Sequence, residues 1–97
     1  MIRHCVMVKF RDEATPDQVA DLIAALEELP QLVTEIRSYS VGPDAGLNDG
    51  NFDLVVVGDF DDVAGYRAYA ANPDHVRVIE THLRPIVAQR TAVQYER

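Results

Sequence analysis

The chain has 97 residues, 47% of them hydrophobic and 26% charged, and its sixteen Asp and Glu against nine Lys and Arg give a formal charge of −7. That length sets a single domain, 1–97, whose fold buries roughly two thirds of the surface its unfolded chain exposes, and the composition is that of a globular domain. The negative balance repels nucleic acid and anionic lipid, a lone Cys5 leaves no internal disulfide, and no apolar run approaches the roughly 20 residues of a membrane span.

The opening Met-Ile-Arg-His-Cys-Val-Met-Val-Lys is interrupted by charge too early for a signal peptide, so a cytoplasmic protein is expected. From Ile2 to Phe10 the residues alternate, with Ile2, His4, Val6, Val8 and Phe10 on one face, which predicts a strand. His4 is a polar member of a face otherwise built for burial. Thr15-Pro16-Asp17-Gln18 carries an N-cap, a proline at the first helical position and a capping-box glutamine. Val19, Leu22, Ile23, Leu26 and Leu29 then recur at helical spacing, and Pro30 is expected to end the helix.

Glu35 to Val41 reads as a second strand closed by Gly42-Pro43. The loop Asp44 to Asn51 carries acidic and amide groups among glycines but lacks the ligand spacing of a calcium loop, and no metal site is expected there. Phe52 to Phe60 is a third strand, apolar on both faces through Leu54-Val55-Val56-Val57. Helices on one side alone would leave Val55 and Val57 in water, so a second layer is expected from another chain, a homodimer joined through the sheet.

Asp61 or Asp62 caps a second helix with Val63, Tyr66 and Ala70 inward and Tyr69 in its last turn. Asn72-Pro73 stops that helix and opens another, Pro73 to Leu83, with His75 in its first turn and His75, Ile79 and His82 on one side. Ile86 to Tyr95 is a final strand. The order β-α-β-β-α-β is that of a ferredoxin-like α+β fold, a four-stranded antiparallel sheet with helices on one face.

Five stretches taken together, Ile2 to Arg11, Val41-Gly42-Pro43-Asp44, Asn51-Phe52-Asp53, Tyr69-Ala70-Ala71-Asn72-Pro73-Asp74-His75 and Arg90 to Tyr95, resemble the stress-responsive A/B barrel (Dabb) family. The resemblance covers essentially the whole chain. It implies ferredoxin-like subunits paired through their sheets into a dimeric α+β barrel, and for most members it implies no particular activity. Plant polyketide cyclases of the family close a linear polyketide by an intramolecular aldol reaction with a tyrosine and a histidine in a Tyr-x-x-x-Pro-x-His-like context. Tyr69 and His75 occupy the matching positions, and His4 matches a first-strand histidine of the same pocket. By this resemblance Val6 and Val8 on the first strand, Ile23 and Leu26 on the first helix and Val56 on the third strand would line the pocket. The aromatic residues that cyclases carry on the first helix are aliphatic here.

An aldol closure needs a base for a proton beside a carbonyl and a donor for the oxygen that gains charge, roles that suit imidazole and phenol. His75 would be the base, disfavoured as imidazolium by the helix start. The sequence thus supports cofactor-free catalysis on a polyketide-like or other carbonyl ligand. It also supports a non-catalytic dimer, stress-related or ligand-binding, in which Tyr69 packs under the Pro73 corner and His75 bonds a backbone carbonyl. The oxygenases that share this barrel supply a third reading, on architecture alone. His75 and His82 have no third partner in spacing for zinc.

Overall fold

A computed structural model describes all 97 residues. Four strands, β1 (Ile2–Phe10), β2 (Ser38–Pro43), β3 (Leu54–Phe60) and β4 (Val87–Glu96), form one antiparallel sheet in the order β2-β3-β1-β4. One face is covered by α1 (Pro16–Leu32), α2 (Val63–Ala71), α3 (Pro73–Val78) and a wide π-helical turn at Ile79–Leu83. This is the ferredoxin-like arrangement.

Register decides which side chains meet beneath the helices. His4 pairs with Gly58 and Gln94, Val6 with Val56 and Ala92, and Val8 with Leu54 and Arg90. Because side chains alternate along a strand, these residues share the helix-covered face. Tyr39 of β2 lies across from Gly58 on the same face. A Cβ on Gly58 would stand 3.1 Å from the Tyr39 ring, so the glycine makes the room that this ring fills. Val6, Val8, Leu22, Leu26, Leu29, Leu54, Val56, Phe60 and Tyr69 belong to one buried core.

The helix boundaries differ from expectation for physical reasons. Thr15 and Gln18 do form the capping box. Pro30, however, lies inside α1 and the helix runs on to Leu32. The bond that its missing N–H forfeits is outweighed locally by Leu29 and Val33, both fully buried, with the Val33 N–H returning to the Leu29 carbonyl at 2.8 Å. Asp62 is the cap of α2, accepting from the Gly65 N–H at 2.8 Å, and Val63 points to solvent while Tyr69 is the buried residue of that helix.

The expected single helix Pro73 to Leu83 is α3 followed by the π-helical turn, in which the Arg84 N–H reaches the Ile79 carbonyl at 2.9 Å. The wider turn rotates later residues away from the α-helical stripe. His75 and Ile79 line the central cavity, whereas His82 faces a separate cleft with Gln18 and Asp21. The second strand begins at Ser38 rather than Glu35, and the third at Leu54 rather than Phe52. In the intervening loop the Asp44 carboxylate accepts from the Gly46 N–H and the Asn51 amide, at 3.0 and 3.1 Å, as a turn-forming aspartate does.

The face of the sheet opposite the helices carries Cys5, Met7, Val55, Val57, Val93 and Tyr95 in adjoining register positions. Met7, Val55, Val93 and Tyr95 are exposed. At one end of this face Asp59 is held by Arg3 through two bonds of 2.9 and 3.0 Å, by Ser38 and by Arg97.

Candidate functional site

Between helices and sheet lies a cavity of about 170 Å³ lined by His4, Val6, Val8, Leu22, Leu26, Tyr39, Leu54, Val56, Tyr69, His75, Ile79, Leu83 and Arg90. Of the expected lining residues, Val6, Val8, Leu26 and Val56 are there and Ile23 is not. Ile23 faces a shallow outer cleft beside Phe10 and Ala14, and its neighbour Leu22, fully buried, stands in the cavity wall instead. The aliphatic first helix leaves the cavity open but small. Its volume is that of roughly six waters, below the roughly 300 Å³ at which drug-sized pockets begin.

The corner at Asn72-Pro73 brings the two reactive side chains together. The Asn72 side chain accepts from the Asp74 N–H at 2.8 Å while its own N–H donates to the Tyr69 carbonyl, so one residue closes α2 and caps α3. The Tyr69 and His75 rings consequently stand with centroids 4.2 Å apart. His75 Nδ1 lies 3.3 Å from the Ala70 carbonyl. A carbonyl can only accept, so this contact places the proton of neutral His75 on Nδ1 and leaves the Nε2 lone pair free. Nε2 has no protein partner and is not sealed from solvent.

Burial is the main cause that holds His75 below the ordinary imidazole range; the Arg90 charge adds to it, and the Ala70 bond opposes it. His4 is lowered to about 4, first by burial and then by Arg90 and His75. Its Nδ1 lies 2.8 Å from the Gln94 amide nitrogen, which donates, so the His4 proton sits on Nε2. Both histidines are therefore neutral near pH 7.

Tyr69 is 2% exposed, with the rings of His4, Tyr39, Phe60, Tyr66 and His75 around it. Its hydroxyl is 2.7 Å from that of Tyr39. Burial pushes Tyr39 up to about 12 and Tyr69 higher still, so both remain phenols. Two hydroxyls sharing one hydrogen bond leave one proton to offer to a third group.

Tyr39, Gln94 and Arg90 did not emerge from the sequence reading. For Tyr39, the signal was its place on an inward position of a short strand. Gln94 and Arg90 also lay at inward positions, of the last strand, but only the register with β1 gives them meaning. No group of three or more His, Cys, Asp and Glu side chains is placed to hold a metal ion, and no helix is long and apolar enough to cross a membrane.

Residues 2–97 match the Stress responsive A/B Barrel Domain, Dabb. The chain belongs to the Dabb family. A stress-response A/B barrel domain-containing protein of Arabidopsis thaliana is 28% identical over 96 residues, which are 98% of this chain and 36% of that protein. This Dabb chain thus spans about a third of that relative's length. A dimeric ferredoxin-like protein of unknown function from Thermobifida fusca is 42% identical, with a TM-score of 0.92 over 99% of this chain and 90% of its own. The hydroxynitrile lyase of Passiflora edulis shares the fold at 18% identity, with a TM-score of 0.85 over 97% of this chain and 90% of its own.

The two neutral histidines carry a pH prediction. In the unfolded chain they protonate near their ordinary value of about 6.5, whereas in the folded chain His4 resists protonation down to about 4. The unfolded state then binds more protons, so stability falls as pH drops through this window and levels out below it. Urea midpoints measured from pH 7.5 to 4 should fall, and His4→Gln should flatten the profile.

Proposed function

We propose that this Dabb protein is a homodimeric, cofactor-free enzyme that moves a proton beside the carbonyl of a small compound, the step shared by aldol closure and aldol cleavage. The observation that carries the reading is the state of His75, neutral, with Nδ1–H held by Ala70 and Nε2 left without a protein partner, on a ring that lines the same cavity as the Tyr39–Tyr69 pair. A base with its lone pair so placed can take a proton from carbon, while the free phenol proton stabilises the oxygen that gains charge. His4 lies in the same wall, its ring centroid 6.0 Å from that of Tyr69, and supplies a second neutral N–H.

The cavity's size favours a compact carbonyl compound over an extended polyketide chain of the kind Dabb cyclases fold. A hydroxynitrile lyase shares the fold, in keeping with an enzyme of this architecture acting as a lyase. The dimer is supported by the dimeric relative at 42% identity and by the exposed apolar face at Met7, Val55, Val93 and Tyr95. That face is what a second copy would cover.

The test is deuterium uptake from heavy water at the carbon beside the carbonyl of pentane-2,3-dione, followed by proton NMR. Wild type should speed the exchange, and His75→Gln should lower the enzymatic rate by roughly 10²-fold or more. The acid limb of the wild-type rate should lie below the ordinary histidine range. Equal exchange by wild type and variant would leave the ligand-binding reading. Light scattering at micromolar protein should give twice the 10.8 kDa chain mass, and a monomer would contradict the dimer.

A further inference from the structure

Arg90 is the one ionised residue in the cavity wall, which contains no Asp or Glu. Five arginines of this acidic chain, Arg3, Arg37, Arg77, Arg84 and Arg97, are held in ion pairs, and Arg11 bonds the Val87 carbonyl. Arg67, exposed on α2, borders a different cleft. Arg90 makes no ion pair or hydrogen bond within the chain, although sixteen carboxylates are present.

Its position is fixed by register. Arg90 lies opposite Val8 on an edge strand, on the helix-covered face, and its charge is felt at His4, His75 and Tyr69 alike. An exposed residue that also lines the cavity stands where the cavity meets solvent. We propose that Arg90 is a specificity-determining residue, the anion subsite of this cavity, and that the ligand is a small carbonyl compound bearing a carboxylate, such as a short 2-oxo acid.

The chemistry fits in three parts. The planar guanidinium matches a carboxylate with two parallel hydrogen bonds. The apolar wall from Val6, Val8, Leu22 and Leu26 takes the carbon chain, and the phenols and His75 are left for the carbonyl and the adjoining C–H. A neutral compound would leave the guanidinium dependent on water alone at the rim, so the site discriminates by charge. The inference rests on the reading of this cavity as the substrate site, and it concerns binding rather than the proton transfer.

The experiment compares 2-oxobutanoate with pentane-2,3-dione, in which a methyl group replaces one carboxylate oxygen. Both are titrated at fixed ionic strength into wild type, Arg90→Gln and Arg90→Lys, with amide and histidine-ring signals read by NMR. Wild type should bind the oxo acid at least tenfold more tightly than the dione. Arg90→Gln should bring the two affinities together, and Arg90→Lys should keep part of the preference. Bound oxo acid should raise the titration midpoints of His4 and His75 by screening Arg90, an effect that the dione lacks and that a distant surface site would not produce. Arg90→Gln should raise the same midpoints without ligand.

Equal affinities in wild type, a preference that survives in Arg90→Gln, or no binding of the oxo acid at millimolar concentration would each overturn the assignment. The two readings fail separately. A charge preference without deuterium exchange at the carbon beside the keto group of bound 2-oxobutanoate removes the enzyme and keeps the subsite, and exchange without a charge preference does the reverse.

Discussion

The site depends on one constraint, the corner at Asn72-Pro73 that folds the start of α3 back onto the end of α2. Proline fixes its own backbone angle and cannot donate, and the Asn72 side chain satisfies the next free N–H. His75 has little choice but to lie against Tyr69, and Ala70 then supplies the carbonyl that selects its tautomer. Tyr69 is locked in turn by four further aromatic rings and by the Tyr39 hydroxyl. The packing that Tyr69 and His75 provide for the core is the same packing that holds the His75 ring against Tyr69 with its Nδ1 at the Ala70 carbonyl.

Electrostatically the cavity is the reverse of the molecule that contains it. The surface is strongly acidic, yet the wall holds two neutral imidazoles, two neutral phenols and one guanidinium. Burial keeps the imidazoles unprotonated, and Arg90 reinforces it. Charge scattered over a wet surface is screened within about 10 Å, whereas a nearby cation facing an apolar wall is screened less. The local cation therefore governs the histidines more than the net charge does.

Much of this was legible in the sequence wherever the relevant interactions were local. Alternation in Ile2 to Phe10 gave the inward face of β1, the Thr15 capping box gave the start of α1, and Asn72-Pro73 gave the corner with both reactive side chains. What local pattern could not supply was pairing over distance. Tyr39 meets Tyr69 across 30 positions and Gln94 meets His4 across 90. Ile23 and Leu22 are adjacent on the helix, and a stripe of spacing three and four does not say which of them faces the cavity and which the rim. The run-on of α1 past Pro30 and the π-helical turn after Val78 escaped for a related reason: the burial of Leu29, Val33 and Leu83 overrode the local preference for a stop or a regular helix.

The central claim is that His75, on the cavity wall, is a neutral imidazole with its proton on Nδ1 and no protein partner at Nε2. Long-range proton–nitrogen NMR of the nitrogen-labelled protein reads this directly. At pH 7 His75 should show one pyrrole-type nitrogen at Nδ1 and one pyridine-type nitrogen at Nε2. An imidazolium pattern, or the opposite tautomer, would contradict the account.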